Sequence, residues 1–229
     1  KKEINFSKQI ILDSIKFKYP NSKNYVLKNI NFLINKGETI CILGTSGAGK
    51  STLMDILMGL IPPTSGKFFV DDIQINQKNI SSWRRKIAHV PQEILLLDDT
   101  IKRNIAFGTP DYKIDNLKIN LAIKISALEK DIDNLPKGIN TIVGERGSLL
   151  SGGQKQRIGI ARAIYQNKEI IFLDEATSAL DKKTEENILH NLTQDKLITI
   201  IMITHRPRKE IIYDKIFSLK DNSLIDISK

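Results

Sequence analysis

GTSGAGKST, Gly44 to Thr52, follows the apolar run Thr39 to Leu43 and precedes Leu53, Ile56, Leu57 and Leu60 at helical spacing, with Pro62-Pro63 as the expected stop. A buried strand, a glycine-rich loop and a helix in that order make a phosphate-binding turn. The pattern G-x-x-x-x-G-K-[ST] supplies loop backbone from Gly44, Thr45, Ser46, Gly47, Ala48 and Gly49, with glycine where amides must come close to phosphate oxygens. Lys50 reaches the outer phosphates, Ser51 offers a hydroxyl to Mg²⁺, and Thr52 closes the stretch. Four constrained positions arise by chance in a chain of 229 residues on the order of once per hundred sequences.

Outward from this loop, two hydrophobic periods alternate. Ile15, Phe17 and Tyr19 alternate with lysines, and Ile30, Phe32 and Ile34 with asparagines, so both stretches read as half-buried strands of an antiparallel layer. Ile40 to Leu43, Ile170 to Leu173 and Ile198 to Ile203 are continuous apolar runs, as expected of strands covered on both faces in a parallel sheet. Gly66 to Ile75 reads as strands returning to the antiparallel layer. Ile216 to Leu219 and Leu224 to Ile227 read as a hairpin around Asp221-Asn222. Between Gln92 and Ser151, Ile101, Ile105, Leu117, Leu121, Ile125 and Leu128 recur at roughly helical intervals, the pattern of an inserted helical subdomain. The expected fold is α/β: a P-loop NTPase core with a mostly parallel sheet, an N-terminal antiparallel β layer and that insertion. One domain over 1–229 is expected, with 1–91 and 164–229 as core and 92–163 as helical subdomain.

A second anion-binding feature lies in LLSGGQKQRIGIARA, Leu149 to Ala163. Ser151 can cap the helix read from Gln154 to Tyr165, while Gly152 and Gly153 free the backbone to present amides to an anion. An ordinary capped helix explains Ser151 but not two adjacent glycines. Asp174 and Glu175 follow the strand IIFL at the sheet's carboxyl edge, where an open α/β sheet binds its ligand. Asp174 suits Mg²⁺ held through water, and Glu175 suits orienting or deprotonating an attacking water. Taken alone, the two acids also read as caps of the next helix.

Together these residues resemble the nucleotide-binding domain of the ABC (ATP-binding cassette) ATPases, with Leu150, Ser151, Gly152, Gly153 and Gln154 matching that family's signature and the likeness running from about Ile11 to Leu224. The resemblance implies ATP as substrate with Mg²⁺, the metal being met by Ser51, Asp174 and Gln92. It places Gln92, in HVPQE, as the Q-loop glutamine at the metal and attacking water, and His205, in MITHR, as the histidine at the γ-phosphate. Pro207 departs from the leucine common there in exporters. Tyr19 falls where the family stacks a ring on adenine, a contact contributing roughly 1 to 3 kcal/mol; by itself it reads as strand-end packing. Ser178, Ala179, Leu180 and Asp181 match the D-loop along the interface of a head-to-tail dimer, in which a second copy's signature completes each ATP site. TIVGERG, Thr141 to Gly147, is similar to the exporter segment whose Glu145 and Arg146 would touch a membrane domain. LLLDDTIKRNIAFG, Leu95 to Gly108, with Asp98-Asp99, is similar to bacterial flippases of lipid-linked glycans.

Composition narrows the setting. Apolar content of 41% and charged content of 27% are ordinary for a soluble domain, whereas a formal charge of +9 fits an anionic ligand, an anionic surface, nucleic acid or simply solvated lysines. The single cysteine, Cys41, excludes a disulfide within the chain and reads as a buried thiol in a reducing setting. No run of about 18 apolar residues spans a membrane, and no secretory signal opens the chain. A start without Met is expected of a piece cut from something longer, with a membrane domain ahead of Lys1 and the chain at the cytoplasmic face of the bacterial inner membrane. The competing readings are a nucleic-acid-linked ABC ATPase, which would carry a coiled-coil or zinc-bearing insertion absent from the interval between Gln92 and Ser151, and a free-standing importer ATPase. No specific nucleic-acid partner is expected.

Overall fold

The alternating and continuous apolar runs form two different sheets in the computed structural model, which describes residues 3–194, 196–205, 207 and 213–228. In chain order the elements are β1 (Gln9–Phe17), β2 (Leu27–Asn35), β3 (Thr39–Leu43), α1 (Lys50–Leu57), β4 (Ser65–Val70), β5 (Ile73–Gln74), α2 (Ile80–Arg84) and β6 (Ile87–Val90). There follow α3 (Ile101–Ile105), α4 (Asn116–Ile125), α5 (Glu129–Asp133), α6 (Gly152–Tyr165), β7 (Ile170–Asp174), α7 (Lys182–Thr193), β8 (Thr199–Ile203), β9 (Lys215–Lys220) and β10 (Ser223–Asp226). Two compact units divide the chain. The first is Lys1–Ile87 with Glu169–Asp174 and Asp195–Lys229; the second is Ala88–Lys168 with Glu175–Gln194.

In the first unit the half-buried strands pair antiparallel, in the order β2-β1-β4-β5. The continuously apolar strands pair parallel: β3 lies between β8 and β9, and β7 pairs with β8. The full order of this sheet is β10-β9-β3-β8-β7-β6, with β6 the edge strand along which the chain leaves the first unit. Asp221 (φ 50°) and Asn222 (φ 64°) make the tight turn joining β9 and β10; both side chains tolerate the left-handed region. Leu12, Ile34, Ile42, Leu57 and Phe172 belong to one core. Trp83, fully buried, donates its indole N–H to the Leu57 carbonyl at 2.7 Å and meets Phe6 and Phe68 edge-on, so its one polar atom is satisfied within that core. Cys41 lies inside β3, and burial pushes its thiol pKa up to about 12.

Three local details differ from the sequence expectation. α1 ends at Leu57, ahead of Pro62-Pro63, because Gly59 takes φ 70° and the Leu60 and Gly59 amides donate back to Asp55 and Ile56 carbonyls, a Schellman stop. α6 starts at Gly152, so both signature glycines form its first turn. On α4 the buried side chains are Ile119, Ala122 and Ile123, while Leu117 and Leu121 are 82% and 54% exposed. Among the described residues no helix is long and apolar enough to cross a membrane.

The start of β1 is tied down by one carboxylate. Ser7 donates through N–H and Oγ to Asp71 Oδ2 at 2.9 and 2.7 Å, and the Lys8 and Gln9 amides donate to Oδ1 at 2.8 and 2.9 Å. Partial burial raises the Asp71 pKa, but the Ser7 hydroxyl and the Gln9, Ser7 and Lys8 amides outweigh it and hold the carboxyl below its ordinary value. A pKa depressed by folding stabilises the native state above the unfolded value of about 4 and ceases to do so as pH falls through the folded value. Asp71→Asn keeps the left-handed backbone (φ 50°) and one acceptor oxygen. It is expected to lower stability by about 1 kcal/mol at pH 7. In urea titrations that deficit should shrink below pH 4; a deficit independent of pH would mean that the charge contributes nothing.

Candidate functional site

In the first unit, β3 delivers the loop Gly44 to Gly49 to the start of α1. Gly47 and Gly49 have φ 77° and 100°, which only glycine adopts without strain, and a Cβ at Gly44 would stand 2.7 Å from the Leu219 carbonyl oxygen. Lys50 is 6% exposed, and its Nζ donates to the Gly44 and Thr45 carbonyls at 2.8 and 3.0 Å, so the cation is held across the loop. Ser51, next on α1, is exposed, whereas Thr52 is buried and its hydroxyl shares a 2.9 Å hydrogen bond with the Tyr19 hydroxyl. Tyr19 lies just past β1, 46% exposed, with its ring edge-on to Phe17 at 4.9 Å. The ring is thus half-exposed beside this packing contact. Lys18, Tyr19, Lys23 and Thr64 line a cavity of about 430 Å³ there. Asp174 is the last residue of β7, and His205 follows β8 exposed, so both stand at carboxyl ends of parallel strands, as β3 places the loop. Arg206 and residues 208–212 lie outside the described residues.

The second unit carries the remaining candidates. Glu175, its backbone in the left-handed region at φ 48°, accepts a hydrogen bond from Gln92 Nε2 at 3.3 Å, which joins two of the expected catalytic side chains. A non-glycine residue there costs free energy, and the turn that follows supplies the compensation: Ser178 N–H donates to the Glu175 carbonyl and Leu180 N–H to that of Thr177. The Thr177 hydroxyl donates to buried Glu185 at 2.7 Å, and Asp181 caps α7 by accepting from Thr184 N–H at 3.0 Å.

At α6, Ser151 and Gln154 form a reciprocal capping box, Ser151 Oγ accepting from Gln154 N–H at 3.2 Å and Gln154 Oε1 from Ser151 N–H at 2.9 Å. The Gln154 Nε2 also donates to Asp131 Oδ1 at 2.8 Å, and Asp131 pairs with Arg157 at 2.6 Å. Gln154 and Asp181, both expected at the nucleotide, here serve as a helix-start brace and a helix cap. Gly152 is left exposed at the helix end.

Gln156 was not among the expected site residues. It is 6% exposed, accepts from Ala179 N–H at 2.8 Å and donates to Ser178 Oγ at 3.1 Å. Its one sequence signal is a polar residue on the apolar stripe Gln156, Ile160, Ala163 of α6.

Mg²⁺ asks for oxygen ligands, keeps several waters and needs one or two carboxylates plus substrate phosphate. An exposed Ser51 hydroxyl on α1 and Asp174 at a strand end fit that modest demand. Among the described residues no group of three His, Cys, Asp or Glu side chains forms a full protein cage for a metal.

A parallel sheet with a lysine-closed glycine loop at its carboxyl edge and an acid at the end of the strand two places along defines a P-loop nucleotide-binding protein. The sequence profile of the family described as "ABC transporter" matches residues 27–178. This chain belongs to that family, as an ATP-binding domain that hydrolyses ATP. It is 46% identical over 215 residues to the multidrug resistance-like ATP-binding protein MdlA of Buchnera aphidicola subsp. Baizongia pistaciae, covering 93% of this chain and 37% of that protein. It is 39% identical to the ATP-dependent lipid A-core flippase of Bordetella avium, over 82% of this chain and 32% of the relative. The solved structure of a bacterial Atm1-family ABC exporter with ATP bound superposes with a TM-score of 0.89 at 35% identity, covering 97% of this chain and 39% of the exporter. The chain thus spans about a third of the length of these relatives.

Proposed function

We propose that this domain drives an exporter or flippase by ATP-dependent pairing of two copies, head to tail. One observation carries the pairing: the chain has two phosphate cradles, the Lys50 loop in its first unit and the Ser151-capped start of α6 in its second. One nucleotide needs one P-loop, so the second cradle is free to meet the γ-phosphate of a partner's ATP. Gly44 to Thr52 hold the triphosphate, with Ser51, Asp174 and Gln92 toward Mg²⁺ and Tyr19 on adenine. When bound, Mg²⁺ neutralises charge on the β- and γ-phosphates. Glu175 orients or takes a proton from the attacking water, His205 faces the γ-phosphate, and Ser151, Gly152 and Gly153 close the site from the second copy.

Coupling to a membrane domain is supported by the exporter and flippase names of the relatives. An apolar surface on the second unit adds to it. Leu95, Leu97, Ile142 and Leu149 are all more than half exposed. Their backbone is nonetheless fixed: Asn104 bonds both polar atoms of Leu97, Arg162 donates to the Leu95 carbonyl, and Val143 N–H donates to the Asp99 carbonyl. Exposed Glu145 and Arg146 lie in the same loop, Arg146 at φ 50°. Exposed apolar side chains on a hydrogen-bonded backbone, with an exposed acid and base in the same unit, suit contact with an intracellular loop of a membrane domain.

Sedimentation tests the pairing. With the hydrolysis-impaired Glu175→Gln chain and saturating ATP, a two-fold pair is expected, and a monomer without ATP. Adding Gly152→Asp sets a negative charge against the partner's γ-phosphate and is expected to return the protein to monomer without loss of ATP binding. A pair that survives Gly152→Asp would rule out the sandwich.

A further inference from the structure

We infer that Gln156 is a positioning residue that locks the signature end of α6 to the turn carrying Glu175, so that closure of one ATP site sets the catalytic carboxylate of the other. This rests on the paired, two-site reading above. A buried glutamine in the second turn of a helix has no packing advantage over Leu or Met, and both of its polar ends are committed. Its Oε1 takes the Ala179 amide at 2.8 Å, and its Nε2 reaches Ser178 Oγ at 3.1 Å. Ser178 N–H in turn donates to the Glu175 carbonyl at 3.1 Å. The path from α6 to the backbone of Glu175 is therefore two consecutive hydrogen bonds, through Ser178, with the Ala179 amide as a second anchor on Gln156. The space between α6 and this turn is small as well: a Cβ at Gly153 would lie 3.3 Å from the Ala179 carbonyl oxygen, so only glycine leaves this approach unstrained.

In the paired arrangement, Gly152 and Gly153 of one chain face the partner's γ-phosphate while Glu175 of the same chain serves its own nucleotide. A displacement of α6 on meeting that phosphate is passed by Gln156 to Ser178 and Ala179. From there it reaches the strained Glu175 position. Gln156 touches no nucleotide in this scheme. Its removal should accordingly change turnover and cooperativity rather than affinity for ATP.

The test uses the whole chain with ATP and Mg²⁺. Gln156→Met keeps the length and apolar stem but removes both hydrogen bonds; Ser178→Ala removes only the hydroxyl partner and leaves the Ala179 amide bonded. For Gln156→Met, kcat is expected to fall about ten- to a hundredfold and ATP affinity to stay within about twofold, with the Hill coefficient for ATP falling toward one; Ser178→Ala should show the same pattern more weakly. Gln156→Glu can accept from Ala179 N–H and from the Ser178 hydroxyl, so it should recover part of the loss. Hydrogen exchange at Glu175 to Leu180, measured without nucleotide, should speed up in Gln156→Met while exchange in α1 and β3 does not change. Unchanged exchange there, or a kcat loss with an unaltered Hill coefficient, overturns the inference. A failed pairing model shows itself separately, as an unmodified chain that neither pairs nor hydrolyses ATP cooperatively.

Discussion

Glu175→Gln is expected to bind ATP as the unmodified chain does and to hydrolyse it about 10² to 10⁴ times more slowly. The substitution is nearly isosteric and leaves the φ 48° backbone with a side chain of the same length, so the turn through Ser178 is retained. What disappears is the basic oxygen that Gln92 now approaches at 3.3 Å. Two facing amides still satisfy each other, which keeps the local geometry while removing the proton acceptor. Steady-state phosphate release, measured beside equilibrium binding of a fluorescent ATP analogue, reads the two quantities apart. A turnover within tenfold of the unmodified chain would take Glu175 out of the chemical step.

Lys50→Ala is expected to weaken ATP binding by about 10² to 10⁴-fold, since charge-assisted hydrogen bonds to phosphate contribute roughly 1.5 to 3 kcal/mol each and the lysine can make two. Its Nζ already bridges the Gly44 and Thr45 carbonyls, so the ammonium is held at the loop before any ligand arrives and little side-chain freedom remains to be lost. Alanine suits the first turn of α1, and the loop's left-handed glycines do not depend on the lysine, so the melting temperature should change little. Calorimetric titration with ATP decides it: an unaltered dissociation constant in a folded variant contradicts the assigned role of the loop.

The parallel sheet was legible because β3, β7 and β8 each carry four consecutive apolar residues, as burial on both faces requires. The antiparallel layer was legible from strict alternation. α4 shows where periodicity stops deciding. Leu117, Ile119, Leu121, Ala122, Ile123 and Ile125 are apolar nearly all round the helix, so spacing marks a helix without choosing its face, and packing selected Ile119, Ala122 and Ile123. The early stop of α1 was hidden because Gly59 stands before a conspicuous Pro-Pro pair that also ends helices. At the site, every motif follows local spacing and could be read from short stretches. The role of Gln156 could not. It is set by Ser178 and Ala179, 22 and 23 residues away, and long-range pairing of this kind has no local sequence signature.

Cys41 gives the chain a practical property. Its thiol is fully buried in β3 and its pKa is pushed up to about 12. Burial both shields the sulfur from reagents and disfavours the thiolate, the species that alkylates. The native protein is therefore already a blank background for maleimide chemistry, and no cysteine has to be removed first. A single cysteine introduced at exposed Lys183, near the start of α7, would be the one labelled position on each copy. Spin labels or fluorophores placed there would report the distance between two copies as ATP is added, in a chain whose core sequence is left untouched.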